Sequence, residues 1–249
     1  MKIGIAGTGR MGAAIAQRLM NLCHEITVWN RTAEKTRPLA AAGAKVAATP
    51  SQLAASSETI VTILTDATAI DAAYRGKDGL LAGDVAGKLF VEMSTVRPET
   101  ERALAGKIRA KGAAMIECPV GAGASMKLAI NLPLLVFWQA FGEALALVRP
   151  LGLDATRLVD IFSDTSGGPA VLKNRGPALA AALQGKEVGP ITVDIDAMRK
   201  DLRTMVEEAS ALGTELPVTS RALECYDQAS GAGLGKGDIT AIPVRWMKR

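Results

Sequence analysis

Short apolar runs rich in β-branched residues alternate with longer stretches of mixed polarity through the first half of the chain. The runs are KIGIAG (2–7), EITVWN (25–30), TIVTIL (59–64), KLFVEMS (88–94) and AAMIECPV (113–120). Helical patterns fall between them at Arg10–Asn21, Ala33–Ala42, Thr68–Tyr74 and Glu99–Lys111. Such alternation predicts parallel strands in a sheet covered on both faces by helices. VRPET (96–100) reads as a helix start, with Pro98 in the first turn and Glu99 and Glu101 complementing the positive end of the dipole.

From Ala124 onward no strand pattern recurs. Helical segments are predicted at Met126–Arg149, Asp154–Phe162, Ala170–Gln184, Ile195–Leu212 and Val218–Ala229. The turn formers LGLD, TSGGP, QGKEVGP and LGTELP separate them. The expected organisation is an α/β domain over residues 1–121 and an all-α domain over 122–249. Its most apolar stretch, 128–148, contains Asn131, Pro133, Gln139 and Glu143, which suits a buried helix better than a membrane span. Pro133 removes one backbone hydrogen bond from that helix and marks a place for a bend.

The 249 residues are 49% hydrophobic and carry a net charge of +4, with basic residues scattered among acids. That balance gives mild attraction for anions, and the scarcity of aromatics argues against a stacking surface for single-stranded nucleic acid. Cys23, Cys118 and Cys225 form neither a metal-binding pair nor a disulfide framework, so a reducing, cytoplasmic setting is expected. The first residues lack the pattern of a signal peptide.

Gly7-Thr8-Gly9-Arg10-Met11-Gly12 is a GxGxxG run following one strand and opening one helix, the context in which backbone N–H groups hold a pyrophosphate. The second strand ends in Asn30, Arg31 and Thr32 where an acid would otherwise read the adenosine ribose. Hydrogen-bond donors and a guanidinium at that point favour NADP (NADPH), with NAD possible. Lys35 lies close enough in sequence to add to a 2′-phosphate site, or else is a solvated surface lysine.

His24 is the only histidine and reads as a residue at a helix C-terminus, which leaves no metal cluster and no histidine-based triad. Cys118 reads as a buried structural cysteine before Pro119, and paired carboxylates are not evident. Lys127 and Asn131 remain, four residues apart on one face of an otherwise apolar helix. Lys127 either snorkels to water or is a partly buried ammonium with a lowered pKa that passes a proton to a carbonyl oxygen, with Asn131 orienting that oxygen. Ser94 and Thr95 follow the fourth strand of the list, where an open parallel sheet places ligands. They either bind a substrate carboxylate or the nicotinamide ribose, or cap the helix that begins at Pro98.

GIAGTGRMG, VWNRT, VEMSTVRP, ECPVGAG, GAGASMKLAIN and MRKDL occur in this order, and together they resemble the β-hydroxyacid dehydrogenase family. That family includes 3-hydroxyisobutyrate dehydrogenases and glyoxylate/succinic semialdehyde reductases. The resemblance implies a Rossmann-type domain, a long interdomain helix, a helical C-terminal domain and a homodimer or homotetramer. It makes Lys127 the catalytic lysine, Asn131 the substrate asparagine, and Ser94, Gly121 and Gly123 substrate positions. Thr65, Thr95 and Lys200 become cofactor positions, alongside the glycine loop and 30–32. The implied activity is reduction of small aldehyde or keto acids with NADPH; the alternatives are an NAD-linked 3-hydroxyisobutyrate-type dehydrogenase and a dinucleotide-binding protein without catalysis. The chain departs from the family in one place. About forty residues between the substrate loop and the lysine helix are missing, so that CPVG serves both motifs, and Glu117 stands where an aspartate is common.

Overall fold

The computed structural model describes residues 1–119, 123–191 and 193–248. The chain forms two compact units, Met1–Lys127 and Leu128–Arg249, beside an expected division after residue 121.

The first unit is built on six parallel strands: β1 (Lys2–Ala6), β2 (Glu25–Trp29), β3 (Lys45–Val46), β4 (Thr59–Thr62), β5 (Leu89–Glu92) and β6 (Ala114–Glu117). Their spatial order is β3-β2-β1-β4-β5-β6. This is the doubly wound order of a Rossmann-type domain, and the direction of winding reverses between β1 and β4. The crossovers are α1 (Arg10–Asn21), α2 (Arg37–Ala41), α3 (Pro50–Ala55), α4 (Ala67–Tyr74) and α5 (Pro98–Ala110). Two apolar clusters fill the unit. One joins Ile3, Ile5, Val28 and Val61 to Ala16 and Leu39, and the other joins Ile60 and Phe90 to Leu53, Ile70, Leu104 and Ile108.

The pattern of residues missed β3 and α3. A strand of two residues has no alternation to read, and α3 is a single turn and a half opened by Pro50 and capped by the Thr49 hydroxyl, which accepts the Gln52 N–H at 3.2 Å. The single helix expected over 33–42 is a 3₁₀ turn (Ala33–Thr36) followed by α2, because Pro38 cannot supply an N–H to continue the first turn.

Helix α6 (Ala124–Val148) runs out of the first unit and into the second, which continues with α7 (Ala155–Ser163), α8 (Ala170–Leu183), α9 (Ile195–Ala211), α10 (Pro217–Ala229) and α11 (Ala241–Met247). The last of these carries Trp246, whose indole N–H donates to Gln139 Oε1 at 3.0 Å. The core of this unit gathers Leu135, Trp138, Phe141 and Leu145 of α6 with Leu172, Leu179, Leu202 and Tyr226. The buried Tyr226 hydroxyl donates to the Leu135 carbonyl oxygen at 2.9 Å. Among the described residues, Ala124–Leu151 is long and apolar enough to cross a membrane by length and composition alone, with 39% of its most apolar window buried.

Candidate active site

At the end of β1 the chain turns through Gly7, whose φ of +99° is left-handed, and the Gly7 N–H donates to the Trp29 carbonyl oxygen at 2.9 Å. A side chain here would run into the Ile63 carbonyl, and one on Gly12 would run into the carbonyl of Gly7 itself. Both glycines are therefore demanded by close packing of backbone on backbone. Gly9 is different: a Cβ there would meet nothing within 4 Å. It is the N-cap residue of α1 and supplies no side-chain cap, so the positive end of the helix faces open space. The Thr8 hydroxyl is buried without a partner at the same turn. Arg10 and Met11 are exposed on the first turn of α1. An orphaned hydroxyl, an uncapped helix start and open space above Gly9 fit a bound pyrophosphate.

The Asn30 Oδ1 accepts the Thr8 N–H at 3.0 Å and its Nδ2 donates to the Thr32 carbonyl at 2.9 Å, so the side chain fastens the glycine loop to the end of β2 while a second Nδ2 hydrogen remains. Arg31, Thr32 and Lys35 are all exposed beside it. A cleft of about 340 Å³ opens there, lined by Trp29, Asn30, Arg31, Thr36, Val46 and Thr49.

The ends of β4 and β5 carry the second group of expected positions. Ser94 is buried, and its Oγ accepts the Leu64 N–H at 2.8 Å. The N-cap of α5 is Arg97, without a side-chain cap, so Ser94 and Thr95 are not capping residues. Thr95 is half-buried; Thr65 is exposed and its hydroxyl donates to Asp66 Oδ2 at 3.3 Å. Lys127 lies in the first turn of α6, half-buried, with its backbone N–H on the Gly123 carbonyl at 2.8 Å. Asn131, one turn further along the same helix, is also half-buried. The Glu117 carboxylate accepts the Ala124 N–H and so caps α6 from seven residues upstream. A side chain on Gly123 would crowd that carboxylate at 3.1 Å. Gly121 lies outside the described residues. Lys200 is half-buried on α9 in the helical unit and pairs with Asp201 at 2.6 Å.

Three expectations are corrected in the first unit. Cys118 is exposed, because β6 is the edge strand of the sheet and the side chains at its end have no neighbouring strand beside them. Buried carboxylates are present: Glu92 is fully buried at the end of β5, and Glu101 is 2% exposed on α5. Burial pushes the Glu92 carboxyl up, against donors that hold it down. Burial, and then the charges of Glu92 and Glu117, push Glu101 up to about 8. Glu101 thus does not serve as an exposed dipole partner, whereas Glu99 does stand in solvent, paired with Arg97 at 3.4 Å. The signal for Glu101 was in the spacing, since it shares a face with Leu104 and Ile108 at i+3 and i+7. Among the described residues no group of three or more His, Cys, Asp or Glu side chains is arranged to hold a metal ion.

A family model described as the NAD binding domain of 6-phosphogluconate dehydrogenase matches residues 2–151. A second, described as the NAD-binding domain of NADP-dependent 3-hydroxyisobutyrate dehydrogenase, matches residues 121–246. Glyoxylate/succinic semialdehyde reductase 2 of Arabidopsis thaliana is 28% identical over 286 residues, covering 97% of this chain and 78% of that protein. Glyoxylate/succinic semialdehyde reductase 1 of the same plant is 26% identical over 285 residues, covering 97% of each. Both alignments are longer than the chain itself, so these relatives carry residues that have no counterpart here. The fold is that of a 3-hydroxyisobutyrate dehydrogenase from Salmonella typhimurium, with a TM-score of 0.81 at 22% identity over 98% of this chain and 99% of that one. The Rossmann order, the glycine loop with its orphaned hydroxyl, and the two matching domain models lead to one assignment: this chain belongs to the β-hydroxyacid dehydrogenase family, as a nicotinamide-dinucleotide oxidoreductase.

Proposed function

We propose that the protein is an NADPH-dependent reductase of small aldehyde or keto acids of the glyoxylate and semialdehyde class, acting as a dimer or tetramer. The observation that carries the cofactor preference is the end of β2. Asn30 bonds the Thr8 N–H and the Thr32 carbonyl, no acid stands beside it, and the exposed Arg31 lines the cleft at this point. A guanidinium there attracts a 2′-phosphate, which an acid would repel. Exposed Met126, Ile130 and Leu147 on α6 support self-association.

Bound NADPH would supply the hydride. Residues 7–12 hold its pyrophosphate against the start of α1, with the Thr8 hydroxyl as an added donor. Ser94 with the neighbouring backbone holds the substrate carboxylate. Lys127 gives its proton to the carbonyl oxygen as the carbon is reduced, and Asn131, one turn along the helix, orients that oxygen. Thr95, Thr65 and Lys200 are assigned to the cofactor.

A second reading has a specific observation behind it: residues carried by the plant reductases between matched segments have no counterpart here, so dinucleotide binding can outlive catalysis. Fluorescence titration with NADPH and NADH, followed by turnover with glyoxylate, succinic semialdehyde and 3-hydroxyisobutyrate, separates the readings. Tight NADPH binding with reduction of an aldehyde acid is the expected result. Binding without turnover favours the second reading, and tighter NADH binding overturns the assignment of Arg31.

A further inference from the structure

Glu92 occupies a position where a carboxylate is costly unless its oxygens are satisfied. It ends β5 with β4 on one side and β6 on the other, in register with Thr62 and Glu117. Three donors converge on it. Ser94 N–H reaches Oε1 at 2.8 Å, the Thr62 hydroxyl reaches Oε2, and the Tyr74 hydroxyl from α4 lies 3.5 Å from Oε2. The Thr62 and Tyr74 hydroxyls are themselves 3.0 Å apart. One link further, the Ser94 hydroxyl accepts the Leu64 N–H.

These bonds form two successive ties across the carboxyl end of the sheet. The carboxylate holds the backbone of Ser94, and the side chain of Ser94 holds the backbone of Leu64. The loops that follow β4 and β5 are thereby fixed to each other where an open parallel sheet places its ligands. The Ser94 hydroxyl bonds the same carboxylate, so the side chain is held between Glu92 and the Leu64 N–H.

We propose that Glu92 is a positioning residue for substrate binding: by holding the backbone and side chain of Ser94 it locks the β4 and β5 loops together where the substrate carboxylate is bound. This rests on the assignment of Ser94 to the substrate. Glutamine can replace the network, since its Oε1 accepts the Ser94 N–H while its Nε2 donates to the Thr62 and Tyr74 hydroxyls. Leucine cannot.

The experiment compares wild type, Glu92→Gln, Glu92→Leu and Thr62→Val, with NADPH as cofactor and glyoxylate as the carboxylate substrate. Amide hydrogen exchange of Leu64 and Ser94 is read alongside kcat and KM. Expected for Glu92→Leu are exchange of both amides faster by about tenfold, KM for glyoxylate raised by about tenfold, and NADPH affinity changed by less than about threefold. Glu92→Gln keeps exchange and KM near wild type. Should Glu92→Leu fail to fold, Thr62→Val is expected to show the same pattern more weakly. Wild-type exchange in the folded leucine or valine variant overturns the proposal, as does a fall in melting temperature with KM untouched. If the wild-type enzyme turns over no acid, the functional assignment fails, while the exchange rates still decide whether Glu92 holds the loops.

Discussion

The Asn30 carboxamide accepts the Thr8 N–H at 3.0 Å, across 22 residues of sequence, and so ties the glycine loop after β1 to the end of β2. The tie acts on the loop that carries the pyrophosphate, not on the part of the cofactor that distinguishes NADPH from NADH. Asn30→Ala is therefore expected to weaken both dinucleotides alike, by about five- to tenfold, as befits one lost hydrogen bond of about 1 kcal/mol. Parallel fluorescence titrations with the two cofactors check this.

Arg31 is expected to behave oppositely. Its side chain is exposed at the cleft beside Asn30 and takes no part in holding the loop. Arg31→Ala should weaken NADPH by roughly tenfold or more, the loss of one charge-assisted contact to a phosphate, and leave NADH within about twofold. A common loss in both titrations would place Arg31 in the loop's framework.

Gly12→Ala tests the packing beneath the phosphate loop. The added methyl would meet the Gly7 carbonyl, and Gly7 cannot retreat because its own Cα faces the Ile63 carbonyl. The start of α1 must shift, at a cost of about 1–3 kcal/mol, and NADPH affinity should fall with stability. Urea unfolding and titration on the same preparation measure both.

Much of this was legible before any coordinates. The β1 run, the glycines and α1 are local features whose spacing carries the geometry, and Lys127 and Asn131 stood out as polar residues on an apolar helix. Residues that act through the tertiary structure were not legible. The tie from Asn30 to Thr8 is one of these, because the two are 22 residues apart and are brought together only by the parallel pairing of β1 with β2. The network on Glu92 is another, since its donors Thr62 and Tyr74 come from β4 and α4, 30 and 18 residues away. Cys118, at a strand end before Pro119 with no base in view, read as a buried structural cysteine, yet a strand's place at the edge of a sheet is a property of topology, not of its own residues.

Lys127→Ala should lower kcat by about 10²- to 10⁴-fold, the span of a lost proton donor, and leave NADPH binding within about threefold, because the dinucleotide loop is built from residues 7–12. Glu117→Ala should act on the same step more weakly. It removes the carboxylate that caps the Ala124 N–H and sets the first turn of α6, three residues before Lys127. Steady-state kinetics beside urea unfolding separate the two: loss of a cap costs about 1 kcal/mol in stability, whereas loss of the donor leaves stability near wild type.

Glu101 makes stability depend on pH in a direction opposite to that of a paired carboxylate. Both of its oxygens are buried without partners, and burial together with the charges of Glu92 and Glu117 raises its pKa from 4.5 to about 8. Between those values the folded protein keeps a proton that the unfolded chain has released, so stability is full below pH 4.5 and is lost as pH rises toward 8. The other groups facing this carboxyl sharpen the effect. Glu92 and Glu117 repel its charge, and the Tyr74 hydroxyl, itself raised by burial and by Glu92, supplies no compensating cation. Glu101→Gln mimics the protonated form at every pH. It is expected to match wild type near pH 5 and to exceed it by about 1–3 kcal/mol at pH 8, the cost of a buried polar group left unsatisfied. Urea unfolding of both proteins at pH 5, 6.5 and 8 gives the answer directly: parallel curves for the two would mean that Glu101 ionises without cost, and the buried acid would then have to be relieved by movement of α5 away from β5.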